Sequence, residues 1–276
     1  MDRGASFDKD MGGKTGLDQQ EVKAKRSLTQ ILNLGPETIP IIAGPCSIEN
    51  KEQLSTVANC LMQKSIKILR GGAYKPRTSP HLFQGLGENG LRILKEIGTQ
   101  YGLTTVSELL DVRHLDILVR YVDVIQIGTR NMYNYELLKE VGRQDKPVLL
   151  KRGICATIKE FRHSAEYIAS EGNESVILCE RGIRTFESST RHTLDISCVP
   201  IMQKQTGFPV IVDLSHSLGR KDIVNAVAKA AFAVGADGIM VELHPNPKEA
   251  LSDNEQQLDL QEFAHLLDAL SGYLNI

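Results

Sequence analysis

Eight short apolar segments of this 276-residue chain each run into a side chain able to bind, ligate or transfer protons. In order these are Cys46, Arg70, Glu108, Arg130, Lys151, Arg181, His216 and Glu242. Each alone has an ordinary explanation. An arginine at a strand end is commonly a solvated rim residue, a buried cysteine is commonly inert packing, and a lone histidine is commonly a satisfied polar group. Eight in corresponding positions ask for a common cause. Arg70, Arg130, Lys151 and Arg181, joined by Lys75, form a cationic set that repels itself unless an anion lies between its members. The planar guanidinium fork suits carboxylate and phosphate, so the expected ligand is a small, multiply charged anion, most simply a phosphorylated acid. Cys46, His216 and Glu242, with Asp253 further on in "LSDNEQQLD", offer a thiolate, an imidazole and two carboxylates. Those donors suit a first-row transition metal better than Mg2+ or Ca2+. Their scattered spacing leaves a metal site and a packed cysteine both open.

The elements that must position these residues repeat regularly. The strand candidates are "TIPIIAG", "IKILRGG", "LTTVSEL", "VDVIQIG", "PVLLKRG", "SVILCERG", "PVIVDLSH" and "GIMVELH". They recur at roughly 19- to 37-residue intervals, the spacing of βα units in a parallel sheet. Helical patterns such as "NGLRILKEIGTQYG" and "KDIVNAVAKAAFAVGADG" lie between them, with glycine at the exit. Eight such units in one α/β domain predict a (β/α)8 TIM barrel with a short N-terminal extension, closed by "LDLQEFAHLLDALSGYL". An open doubly wound sheet is the alternative, weakened by the lack of GxGxxG after the first strand. Barrel chemistry sits at the C-terminal strand ends, where the eight residues fall. In "IIAGPCSIEN", Gly44-Pro45 ends the first strand sharply and aims Cys46 inward.

Residues 1–27 are polar and glycine-rich and read as a disordered tail, with the barrel over 28–276. The 32 basic and 34 acidic residues leave a net charge of −2, which speaks against a nucleic-acid or membrane surface. Five widely spaced cysteines without a CxxC indicate a reduced, cytoplasmic chain, with no secretory signal and no apolar run of membrane length.

The segments "GPCSIEN", "LRGGAYKPRTSP", "FQGLGENGLRIL", "IGTRNM", "PVLLKRG", "CERGIRTFE", "DGIMVELHP" and "LSDNEQQLDL" closely resemble the 3-deoxy-D-arabino-heptulosonate 7-phosphate synthase family, in its compact microbial type I-beta subgroup. The resemblance covers about residues 28 to 272. It implies a metal-dependent condensation of phosphoenolpyruvate with erythrose 4-phosphate, the first step of the shikimate pathway, by a homodimer or homotetramer. The sister 3-deoxy-octulosonate 8-phosphate synthases take a five-carbon sugar phosphate and read like "KANRS" where this chain has Lys75-Pro76-Arg77-Thr78-Ser79. By resemblance, Arg70, Lys75, Arg130, Lys151 and Arg181 hold phosphoenolpyruvate, and Arg77 and Thr78 hold erythrose 4-phosphate. Cys46, His216, Glu242 and Asp253 would ligate Mn2+, Fe2+, Co2+ or Zn2+.

Leu214, His192, Tyr133 and His81-Leu82 depart from the family's usual Pro, Asn, Gln and Tyr-Ser, which touches substrate preference and loop geometry but no ligand or anchor. Lys75 is the expected proton donor, on the premise that cationic surroundings lower a lysine pKa, and Glu108 is a candidate to position water. A Schiff-base aldolase using Lys151 and a non-catalytic regulatory barrel are the rival readings. With only about 27 residues ahead of the barrel pattern there is little room for an added regulatory domain, so weak direct feedback inhibition by aromatic end products is expected.

Overall fold

The computed structural model describes residues 26–273 apart from 37 and 78. The disordered-tail assignment for 1–27 therefore falls almost wholly outside the described residues, as does Thr78. Eight parallel strands close on themselves in chain order: β1 (Ile39–Gly44), β2 (Ile66–Arg70), β3 (Thr104–Leu109), β4 (Val124–Ile127), β5 (Val148–Lys151), β6 (Val176–Glu180), β7 (Val210–Asp213) and β8 (Gly238–Glu242). All eight predicted strands are present, and closure between β1 and β8 excludes the open sheet.

A short helix, α1 (Leu28–Ile31), precedes the barrel. The others are α2 (Lys51–Gln63), α3 (Glu88–Tyr101), α4 (Leu115–Tyr121), α5 (Tyr135–Gly142), α6 (Ile158–Ser170), α7 (Cys198–Thr206), α8 (Leu214–Leu218), α9 (Val224–Ala233) and α10 (Leu260–Leu270). Local chemistry sets their limits. Asn50 caps α2 through Gln53 N–H, Thr157 and Glu160 form a capping box on α6, and Gly102 ends α3 in the left-handed conformation. On α3 the buried Leu91, Leu94, Ile97 and Gly98 keep helical spacing and pack against the sheet.

Two apolar layers result. The outer one lies between strands and helices. The inner one takes one residue from each strand and two from β6: Ile42, Ile68, Val106, Val124, Leu149, Ile177 with Cys179, Ile211 and Met240. Leu28, Ile31 and Leu32 join it, so α1 closes the N-terminal end of the barrel. Burying these side chains contributes about 1.5–3 kcal/mol each, and the filled interior leaves the opposite end for chemistry. All five cysteines are free. Among the described residues no helix is long and apolar enough to cross a membrane.

Candidate active site

Side chains two residues apart on a strand face the same way. One step beyond the inner apolar layer the barrel therefore carries a polar ring: Arg70 after Ile68, Glu108 after Val106, Gln126 after Val124, Lys151 after Leu149, Arg181 after Cys179, Asp213 after Ile211 and Glu242 after Met240. On β1 this step falls at Gly44, paired in register with Glu242. Gly44 has φ +149°, and a Cβ there would lie 2.0 Å from the Arg70 carbonyl oxygen, so the site requires glycine. The chain then turns and delivers Cys46 into the ring.

Cys46, Glu242 and Asp253 present one ligand atom each within 4.8 Å of one another. The Cys46 thiol donates to Asp253 Oδ2 at 3.1 Å, and Lys75 Nζ donates to Cys46 Sγ at 2.9 Å. Gln257 accepts from the Cys46 N–H at 3.0 Å. Glu242 accepts from Arg70 Nη1 at 2.9 Å and from Gln256 Nε2 at 2.5 Å. His216 stands just outside this group, with Nε2 3.4 Å from Glu242 Oε1. Its Nδ1 lies 2.8 Å from Asp213 Oδ2, which assigns the ring proton to that side and leaves Nε2 with a lone pair toward Glu242. The donor set is chemically fit for a transition metal.

Burial pushes the Cys46 thiol up to about 12, with Glu242 adding to the shift and Lys75 opposing it. Burial also works to raise Asp253, but the Cys46 hydrogen bond and the charges of His216 and Arg191 hold it down at about 2. Glu242 stays below the usual carboxylate value, because His216 and Arg70 outweigh its burial. Burial lowers His216, against the opposing pull of Asp213 and Glu242.

The cations divide into two kinds. Arg70 is paired with Glu242, and Lys151 forms a buried ion pair with Asp213. Arg181, only 4 % exposed, reaches just the carbonyl oxygens of Gly182 and His216, and its Nε has no partner. Burial accordingly lowers its pKa. The expected lowering of Lys75 is corrected: burial does press it down, but Cys46 and Glu242 prevail over Arg70 and the net shift is upward. Arg130 is exposed on a 3-10 turn, Thr129–Asn131, at the rim rather than in the ring. Arg77 is partly buried in the β2–α3 loop. Neither makes an ion pair among the described residues.

His216 is likewise not at a strand end. β7 stops at Asp213, whose carboxylate caps α8 by accepting from the His216 N–H at 2.9 Å. Sequence reasoning missed Gln126 and Asp213. Both follow the two-residue alternation of their strands, and Asp213 also stands three residues before the histidine in "DLSH", so the signal was present. Gln126 donates to Glu108 at 3.3 Å. Among the departures, His192 places Nδ1 3.1 Å from the His216 carbonyl oxygen, and burial lowers its pKa to about 4.

A closed parallel barrel with a polar ring at its C-terminal mouth defines an enzyme of the (β/α)8 class. The model of the DAHP synthetase I family matches residues 19–275. Phospho-2-dehydro-3-deoxyheptonate aldolase of Thermotoga maritima is 54% identical over 251 residues, covering 88% of this chain and 74% of that one. 2-Dehydro-3-deoxyphosphooctonate aldolase of Geobacter sulfurreducens is 32% identical over 259 residues, covering 86% and 93%. The crystal structure of the Thermotoga maritima aldolase superposes with a TM-score of 0.83 at 52% identity, covering 87% of this chain and 70% of that one. The chain belongs to the DAHP synthetase I family.

Proposed function

We propose that the chain is a 3-deoxy-D-arabino-heptulosonate 7-phosphate synthase, joining phosphoenolpyruvate to erythrose 4-phosphate with release of phosphate. The observation that carries this reading is the division of charge at the mouth. Lys75, Arg77, Arg130 and Arg181 have no hydrogen-bonded or ion-paired carboxylate among the described residues, and the first of them contacts a thiol–carboxylate group able to hold a metal. Such a surplus of cations suits two phosphorylated substrates brought into one space. The 54% identity with the heptonate enzyme against 32% with the octonate enzyme, together with Lys75-Pro76-Arg77-Thr78, favours the four-carbon sugar phosphate.

In this reading Arg181, Arg130, Lys151 and Arg70 hold the phosphate and carboxylate of phosphoenolpyruvate, and Arg77 and Thr78 hold the phosphate of the aldose. Orienting two anions against their mutual repulsion supplies several kcal/mol, on the order of the proximity and electrostatic terms of other enzymes. C3 of phosphoenolpyruvate attacks the aldehyde carbon, and the aldehyde oxygen takes up a proton. Lys75, kept charged by its neighbours, is the donor. Water adds at C2, the carbon–oxygen bond to phosphate breaks, and phosphate leaves. Glu108, which accepts from Gln126, is assigned the orienting of that water. A divalent metal held by Cys46, His216, Glu242 and Asp253 would supply Lewis acidity toward the aldehyde oxygen. Lys151 is committed to Asp213, which disfavours a Schiff base.

Phosphoenolpyruvate consumption, measured side by side with erythrose 4-phosphate and arabinose 5-phosphate, tests the proposal. A strong preference for the former is expected, and equal or reversed preference overturns the assignment.

A further inference from the structure

The segment joining β8 to α10 crosses back over the mouth and brings Asp253 to Cys46, 207 positions away in sequence. Asp253 has φ +45°, a left-handed conformation that aspartate adopts more readily than most residues with a side chain. The two residues before it are both tied to the segment after β1. The Ser252 and Ser47 hydroxyls lie 2.7 Å apart, and both residues are buried. The Leu251 N–H donates to Glu49 Oε1 at 2.8 Å. The other Glu49 oxygen lies 3.5 Å from Nε2 of the buried His244. His244 Nδ1 accepts from the Asn246 N–H at 3.0 Å, which puts its ring proton on Nε2, a nitrogen with no hydrogen-bond partner among the described residues. Gln257 closes the set, accepting from the Cys46 N–H and donating to the Ser252 carbonyl at 2.8 Å.

We propose that Ser47 and Glu49 are positioning residues: they latch the β8–α10 segment to the first strand's exit and thereby set the separation of Cys46 and Asp253. In the role of metal ligands this rests on the proposed function. The latch has a second consequence that does not, since the same segment lies against the Cys46 thiol, which is fully buried. Four polar contacts between segments some 200 residues apart limit how far the loop can swing, alongside Arg191 on Asp253 and Gln256 and Gln256 on Glu242, and removing the Glu49 acceptor frees the N–H of residue 251 and loosens the approach to Asp253.

The test uses the full chain stripped of metal. Mn2+ affinity is measured by calorimetry, and iodoacetamide modification of Cys46 is followed by peptide mass spectrometry without metal. Glu49→Ala is expected to weaken Mn2+ binding roughly ten- to hundredfold, as for other groups that orient ligands, and to speed Cys46 modification by a similar factor. Glu49→Gln recovers part of both, because its amide oxygen still accepts from Leu251. Ser47→Ala and Ser252→Ala have smaller effects that do not add in the double variant. Cys179, buried in the barrel core, is the control for general loosening. If Glu49→Ala leaves both measurements within about twofold of wild type, or exposes Cys179 as much as Cys46, the latch is rejected. If the wild type takes up no Mn2+, the metal reading fails, and protection of Cys46 alone decides the latch.

Discussion

Replacing Arg152 with Met should cost more stability than any substitution at the rim. Arg152 follows β5, its side chain 3% exposed, and donates to Glu180 Oε2 at 2.7 Å and to Asp195 Oδ2 at 2.9 Å. Its Nε holds the Ala156 carbonyl at 3.1 Å, which fixes the turn into α6. Methionine keeps the aliphatic stem and removes the charge. Glu180, fully buried, would then retain two neutral donors, the Gly182 N–H at 2.6 Å and the Cys198 thiol, and no cation. Stranding one partner of a buried pair costs about 3–5 kcal/mol, a large part of a total stability of roughly 5–15 kcal/mol. For a chain of this size that corresponds to a melting point lower by about 6–20 °C. Glu180→Gln in the Arg152→Met background removes the stranded charge and should recover at least about 2 kcal/mol, a coupling that a double-mutant cycle resolves. Urea denaturation followed by circular dichroism, with thermal melts alongside, measures both. A loss below about 1 kcal/mol for Arg152→Met, or no recovery in the double variant, would refute the reasoning. Asp195 adds a pH dependence. Burial tends to raise it, but hydrogen bonds from Ser197 and Arg152 hold it below its ordinary 3.8. A depressed carboxylate contributes stability above its unfolded pKa and loses it as pH falls, so the acid limb below about pH 4 should be shallower in Asp195→Asn.

Cys46→Ser should keep the fold, since a hydroxyl can still bond Asp253 and Lys75, and lose more than about a hundredfold in Mn2+ affinity; unchanged metal content after dialysis would reduce Cys46 to packing, and Cys60→Ser on α2 is the silent control. Arg181→Met should raise metal-free stability by about 1 kcal/mol, because an uncompensated buried charge is removed, while phosphoenolpyruvate affinity falls at least about tenfold; a destabilised variant with normal affinity would contradict that account. Gly44→Ala should cost about 3 kcal/mol or more, given the 2.0 Å approach to the Arg70 carbonyl, and a variant as stable as wild type in urea would show that β1 ends differently.

The eight strands, their parallel order and the ring-bearing residues Cys46, Arg70, Glu108, Lys151, Arg181 and Glu242 were legible in the sequence, because strand side chains alternate with a period of two and barrel chemistry gathers at one end of every strand. The same alternation contained Gln126 and Asp213. They were overlooked because Arg130 and His216, the more conspicuous residues just beyond, drew the strand ends too far; their local structure is a 3-10 turn and a helix capped by Asp213. Charge alone also misplaced the direction of Lys75, since a pKa depends on which neighbour is nearest, and that neighbour is the thiol rather than another cation. The pairing of Arg70 with Glu242, of Lys151 with Asp213 and of Arg152 with Glu180 joins residues from different strands. The latch between Ser47, Glu49 and the segment that carries Asp253 likewise joins the stretches that follow β1 and β8. Local periodicity determines which residues face the barrel mouth; only closure of the barrel, which brings the first strand beside the last, decides which of them touch.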